Sequence, residues 1–344
     1  MHVCILGGGI NGFCCAVRIL EFYKKQQKPI EVTLISDKFT PNTTGDGSAG
    51  LWGPYLLGGT PTSKVHKWSK GMHDFLEGLW LSEDAGEAGI CLIPVVRLTT
   101  ADTPVDDFWK DIVYGCEPMC DKLLAEYNVN RATKYTSGLH FVTYTSEPRL
   151  LLPYLIKRFR KQGGQILNEK IENLQQFIET TKYDVVINCT GLGSQELLGD
   201  KSMFPVRGQV ARVKAPWLYY VVLDESDVGN YIIPNMESVV LGGTHQENDF
   251  NTKVCPVDKK FIVDGCREIV PPLHQAKHMY DWVGLRPGRT NLRLEPEQIK
   301  GNKILIHNYG HGGSGVTLAW GCAEDVIEIL EKSLEQKHKI PAKL

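Results

Sequence analysis

Residues 1–36 read MHVCILGGGINGFCCAVRILEFYKKQQKPIEVTLIS. HVCIL is a short apolar run with the look of a buried strand, and EVTLIS is a second. Between them FCCAVRILEFYKK carries its apolar residues at helical spacing. The turn from the first strand into this helix is Gly7-Gly8-Gly9-Ile10-Asn11-Gly12, which supplies Gly-x-Gly-x-x-Gly. Strand, glycine turn, helix, strand is the order of a dinucleotide fingerprint. The first glycine permits the tight turn, the second lets a pyrophosphate approach the backbone, and the third lets helix and strand pack closely. The helix N-terminus then offers free N–H groups and partial positive charge to phosphate. The competing reading is a glycine turn without a ligand. The fingerprint by itself does not separate a flavin from a nicotinamide dinucleotide. Asp37 stands one position beyond the second strand, close to where an acid would meet a ribose.

The far end of the chain mirrors this pattern. KILIH reads as a strand and VTLAWGCAEDVIEILEKSL as a helix. Between them, four of the six positions from Gly310 to Gly315 are glycine. Such a cluster implies a backbone that bends sharply or is approached closely. The middle of the chain differs. Residues 56–140 carry helical stretches such as KVHKWSKGMHDFLEGLW and strands such as ICLIPVVRLTT, with no second fingerprint. From Pro148 the α/β alternation returns, ending in the buried strand YDVVIN and the small-residue turn CTGLGSQ. RGQVARVKAPW, YIIP and ESVVLGGTHQ then read as antiparallel strands. The reading is an α/β protein with a discontinuous Rossmann-like nucleotide domain, residues 1–55, 141–195 and 287–340. An antiparallel-sheet domain, residues 56–140 and 196–286, is interleaved with it.

Composition limits the partner. The chain of 344 residues has 38 basic and 40 acidic side chains, a net charge of −2. No basic stripe marks a nucleic-acid surface, and no apolar run reaches the roughly 18–20 residues of a membrane span. The N-terminus enters a strand at once, with no basic region of a signal peptide. Ten cysteines without a CxxC pair read as reduced thiols, and no zinc-ligand spacing is present. The tail, residues 341–344, ends in Ala342-Lys343-Leu344, a variant of the Ser-Lys-Leu peroxisomal address. It points to a peroxisomal import receptor as partner and to the peroxisome matrix as location, with the cytoplasm as the alternative.

In order and spacing, GGGINGF, SDKFTPNTT, NCTGLGSQ, FPVRGQV, APW, YIIP, LGGT, GLRPGR and HNYGHGG resemble the D-amino-acid oxidase family over essentially the whole chain. The resemblance implies FAD as cofactor, oxygen as acceptor, and a product mixture of 2-oxo acid, ammonia and hydrogen peroxide. It assigns Gly7, Gly8, Gly9, Gly12, Asp37, Lys38, Thr43, Thr44, Ser48, Gly50, Leu51, Gly312, Gly315 and Thr317 to the cofactor. It assigns Arg286 and Tyr231 to the substrate α-carboxylate and the Gly313 carbonyl to the amine, with Ser314 beside it. Guanidinium suits the carboxylate because its planar fork makes two charge-assisted bonds. By the same resemblance the flavin and substrate are what approach the glycine loop. The helix starting near Ser314 would direct its N-terminus at the flavin edge that becomes negative on reduction. No acid/base side chain is required, and His307 and His311 are assigned to packing or hydrogen bonding.

The family divides into oxidases of neutral D-amino acids and D-aspartate oxidases. Only Leu218 to Asn230 separate Trp217 from Tyr231, a short lid that resembles the aspartate branch. LWGPY and HNYGHGG resemble the neutral branch. The aspartate branch places arginines in the side-chain subsite, where this chain has His245 and, in the lid, Leu223 followed by Asp224 and Glu225. A protonated His245 would partly replace an arginine. The expectation is oxidation of acidic D-amino acids, D-aspartate and possibly D-glutamate. A broad neutral D-amino-acid oxidase and a catalytically silent flavin-binding protein are the alternatives.

Overall fold

The computed structural model describes residues 1–101, 107–129, 131, 134–226, 229–299 and 301–339. The tripeptide Ala342-Lys343-Leu344, expected to be a peroxisomal address, lies outside them. The smaller of two sheets is built around His2–Leu6, which pairs in parallel with Glu31–Ser36 on one side and Val185–Asn188 on the other. Gln165–Asn168 extends one flank and Ile304–Tyr309 the other, both in parallel. Arg293–Glu297 closes that edge antiparallel. Val185–Asn188 and Ile304–Tyr309 are buried throughout, as strands covered on both faces must be. The helices Ile10–Lys25 and Gly315–Lys339 pack against each other on this sheet. Ile10–Lys25 buries Phe13, Val17, Ile19 and Leu20, and each such side chain contributes roughly 1.5–3 kcal/mol.

The larger sheet has nine strands. Its pairings are antiparallel except for Ile90–Thr99 beside Val221–Asp224, which is parallel. The sequence-based boundaries at 141 and 287 fall inside two of its strands, Ser137–Ser146 and Lys277–Arg289. Lys277–Arg289 is the element that sequence pattern hides. KHMYDWVGLRPGR has two glycines, a proline and no clean alternation, yet it pairs along Met203–Lys214 from end to end. The contacts of its long neighbour override its own weak propensity. Tyr114–Pro118 and the helices Asp121–Tyr127 and Pro256–Ile269 are likewise absent from the sequence reading. All ten cysteines are free thiols. Among the described residues no helix is long and apolar enough to cross a membrane.

The glycine turn is fixed by packing. Gly7 has φ +114°, and an ideal Cβ on Gly12 would stand 1.9 Å from the Gly7 carbonyl oxygen. Backbone cannot yield as a flexible side chain can, so Gly12→Ala must push the helix off the strand. We expect a loss of about 1–3 kcal/mol, the usual range for overpacking, read as a lower urea midpoint of the cofactor-free protein. An unchanged midpoint would contradict this packing account.

Candidate active site

Four glycines of the larger sheet form the floor of the site. Gly208 and Gly284 face each other across two strands. A Cβ on Gly208 would meet the Arg286 guanidinium at 2.4 Å, and one on Gly284 would meet the Trp282 ring at 1.9 Å. Gly242 and Gly243 leave room for the Tyr231 ring in the same way, with approaches of 2.0 and 2.7 Å. Glycines inside strands mark close approach, and here they let Arg286 and Tyr231 lie down on the sheet. Arg286 Nη1 donates to the Thr244 carbonyl at 3.0 Å, which leaves further guanidinium N–H groups for a ligand. Burial raises the pKa of the Tyr231 phenol, and the Arg286 charge pulls against it. The two residues assigned to one carboxylate are therefore neighbours.

Two helix N-termini converge beside this floor. An ideal Cβ on Gly315 stands 3.6 Å from Asn11 Nδ2 and 3.9 Å from Ile10 Cγ2, so the helices Ile10–Lys25 and Gly315–Lys339 begin side by side. Neither has an acidic residue in its first turn, and no side chain caps Ile10–Lys25. A Cβ on Gly9 would meet nothing within 4 Å. Asn11 Oδ1 and His311 Nε2 are buried without a hydrogen-bond partner among the described residues. Open space at the middle glycine, unneutralised helix ends and orphaned polar atoms fit an anionic dinucleotide.

The other glycines are held by protein. Gly312 has φ +54°, and its Cβ would fall 1.8 Å from the Leu56 carbonyl oxygen; the Cβ of Gly313 would meet the Tyr55 ring at 2.5 Å. In the Cβ direction the close neighbours of these two glycines are residues 55 and 56. Ser314 and Thr317 fasten that segment. Ser314 Oγ accepts from Tyr55 N and donates to Tyr55 O, both at 2.6 Å, and Thr317 Oγ1 does the same for Gly53 at 3.3 and 3.0 Å. Thr43 Oγ1 donates to Asp46 at 2.6 Å and Thr44 Oγ1 to the Leu285 carbonyl at 3.2 Å. The protons of these four hydroxyls go to protein carbonyls and to the Asp46 carboxylate. Ser48 Oγ accepts from Gly50 N at 3.1 Å, and Leu51 bridges to Thr145. Asp37 and Lys38 are exposed just past Glu31–Ser36, and a Cβ on Gly8 would meet the Lys38 carbonyl at 2.5 Å.

His307 accounts for itself structurally: it is fully buried, its Nε2 lies 2.9 Å from Glu297 and its Nδ1 3.3 Å from Asn188. His311 is 1% exposed, and burial pulls its pKa down to about 3. A neutral imidazole so reluctant to charge is a poor base for a substrate ammonium. His245 is exposed and directly follows Thr244, the residue that anchors Arg286. In the lid, Leu223 sits opposite Tyr231, Asp224 is buried, and Glu225 pairs with Arg97 at 2.6 Å. Sequence reasoning missed Tyr55, Trp282 and Arg212. Tyr55 is close enough for Arg286 and Tyr231 to act on its phenol, whose pKa burial raises. The glycines opposite each other in VRGQV and VGLRP were the available signal for Trp282.

For His311 the unfolded pKa of 6.5 lies above the folded value of about 3. The unfolded chain therefore binds the extra proton between them, and the native state loses stability as pH falls below about 6.5. The slope for one group approaches roughly 1.4 kcal/mol per pH unit. We expect His311→Gln to flatten the drop in urea midpoint between pH 7.5 and pH 5; a parallel drop in both proteins would rule His311 out as its source.

Residues 2–329 match the family described as FAD dependent oxidoreductase, DAO. A D-amino acid oxidase of Dugesia ryukyuensis is 38% identical over 341 residues, covering 97% of this chain and 98% of its own. A D-aspartate oxidase of Homo sapiens is 35% identical over 336 residues, covering 96% and 95%. Among solved structures, a glycine oxidase of Bacillus cereus superposes with a TM-score of 0.77 at 19% identity, covering 96% of this chain and 97% of its own.

Proposed function

The chain belongs to the DAO family of FAD-dependent oxidoreductases, and from that premise we propose that it oxidises acidic D-amino acids, D-aspartate foremost. The observation that carries an amino-acid oxidase is the seating of Arg286 and Tyr231 on one glycine floor beside two helix N-termini. FAD, when bound, supplies the hydride acceptor and the onward path of electrons to oxygen, which leaves as hydrogen peroxide.

The chain's own part is orientation. Arg286, braced by the Thr244 carbonyl, grips the α-carboxylate, and the Tyr231 hydroxyl donates to the same group. The Gly313 carbonyl accepts from the substrate amine. Three fixed points leave one enantiomer with its Cα–H toward the cofactor. The amine enters deprotonated, in keeping with a neutral His311. The imine product then hydrolyses to 2-oxo acid and ammonia.

Two features support an acidic side chain. Of the lid's described carboxylates, Glu225 is held by Arg97 and Asp224 is buried. The exposed His245 directly follows Thr244, whose carbonyl anchors Arg286, and offers a ring N–H that can donate to a second carboxylate. The similarity to the Dugesia D-amino acid oxidase favours the neutral reading, in which His245 has no part. Anaerobic bleaching of the flavin band separates them. We expect D-aspartate to bleach at far lower concentration than D-alanine, and His245→Ala to narrow that preference about tenfold, the equivalent of 1.4 kcal/mol. Bleaching favouring D-alanine would establish the neutral reading.

Arg286→Lys keeps the charge and loses the fork. We expect kcat/KM to fall about tenfold to a hundredfold, the worth of one charge-assisted bond at roughly 1.5–3 kcal/mol. Steady-state kinetics on D-aspartate check it, and an unchanged kcat/KM would remove Arg286 from the carboxylate.

A further inference from the structure

Arg212 has no part in the reaction just described, yet it is a cation only 1% exposed. It lies on Met203–Lys214 in even spacing from Gly208, so it shares the face on which Arg286 rests. Its Nη1 donates to Asn235 Oδ1 at 3.0 Å and Ser238 Oγ at 2.9 Å, and its Nη2 donates to the Ser48 carbonyl at 3.3 Å. The Glu147 carboxylate is 3.9 Å from Nη1, and Nε has no acceptor among the described residues. Two neighbouring carbonyls are tethered alongside: Asn235 Nδ2 donates to Ala49 O at 2.9 Å and Arg149 Nε to Asp46 O at 3.3 Å. The Ser48 and Ala49 carbonyls are thus held toward the substrate sheet, and the Asp46 carbonyl toward the helix that begins at Pro148.

A buried cation is a costly tether. Burial lowers the pKa of Arg212, and an apolar side chain of similar volume is often as stable in such a place or more so. What an apolar residue cannot do is hold a carbonyl. In a trans peptide the N–H points opposite to the C=O, so fixing the Ser48 carbonyl toward Arg212 aims the Ala49 N–H away from the sheet. The resemblance assigns Thr43, Thr44, Ser48, Gly50 and Leu51 on either side of this peptide to the cofactor, and the chain continues to Gly53 and Tyr55, which Thr317 and Ser314 fasten at the second helix N-terminus. The 48–49 peptide therefore lies within the stretch read as meeting the cofactor.

We propose that Arg212 is a positioning residue for the cofactor: through the Ser48 carbonyl it sets the orientation of the 48–49 peptide, and thereby couples FAD affinity to the substrate sheet. The inference rests on the FAD reading above. The test is titration of the cofactor-free protein with FAD, followed by quenching of flavin fluorescence, for the parent, Arg212→Met, Arg212→Lys and Asn235→Ala. Urea midpoints of the cofactor-free proteins are measured alongside. Arg212→Met should bind FAD at least about tenfold more weakly, the loss of one charge-assisted bond. Arg212→Lys should recover part of that loss, which a purely structural role in the core would not require. If Arg212→Met does not fold, Asn235→Ala carries the test, because it removes the Ala49 tether and one Arg212 partner; it should weaken FAD by about threefold or more. FAD affinity within twofold of the parent in the folded variants would overturn the role of Arg212 alone. A parent that binds no FAD would overturn this inference together with the functional reading.

Discussion

The peptide groups on either side of Arg286 hold the molecule's working parts in register. The Leu285 carbonyl accepts from Thr44, in the irregular segment that follows Glu31–Ser36. The Pro287 carbonyl accepts from Gly312 N at 2.9 Å, in the loop that opens the last helix. Between them the guanidinium lies on Gly208 and reaches the Thr244 carbonyl. One short stretch of strand thus ties Arg286 to the segment after Glu31–Ser36 and to the loop that opens the last helix. The arrangement tolerates little slack, because hydrogen bonds to backbone carbonyls fix direction as well as distance.

The residues from Thr43 to Leu56 carry this registration along the chain. They are irregular, yet nearly every turn is anchored. Thr43 and Asp46 cap a short helical turn, Gly47 receives the Trp282 ring, and Gly50 exchanges a hydrogen bond with Ser146. Leu56 adopts φ +55°, in the left-handed region unfavourable to a branched side chain. Its carbonyl fills the space that Gly312 leaves by having no Cβ. A conformation that costs free energy locally persists here because its surroundings over-determine it. The glycine loop and the segment before Leu57 are two halves of one packing solution.

Much of the smaller sheet was legible in the sequence. HVCIL, EVTLIS, YDVVIN and KILIH are apolar runs between glycine-rich turns, and those runs become adjacent parallel strands. RGQV, YIIP and VVLGG carried the larger sheet in the same way. Lys277–Arg289 stayed hidden because its two glycines suit the side chains lying over it and its proline breaks the pattern, which weakens the alternation that marks a strand. The resemblance singled out Arg286 and Tyr231, and the structure places them together. It could not show that the hydroxyls of Thr43, Thr44, Ser314 and Thr317 are turned toward protein, since a hydroxyl's partner is chosen by packing.

Sequence alone determined the dinucleotide turn, the strand–helix alternation around it and the chemical types available at the site. Those depend on local rules: backbone freedom at glycine, apolar periodicity, and the fixed geometry of guanidinium. Tertiary structure alone decided which glycines face protein and which leave open space, that two helix N-termini begin side by side, and that Arg212 reaches Ser48 from a strand 164 residues away. Such pairings come from the crossing of two sheets, and no local propensity encodes a contact whose partners are so far apart in the chain.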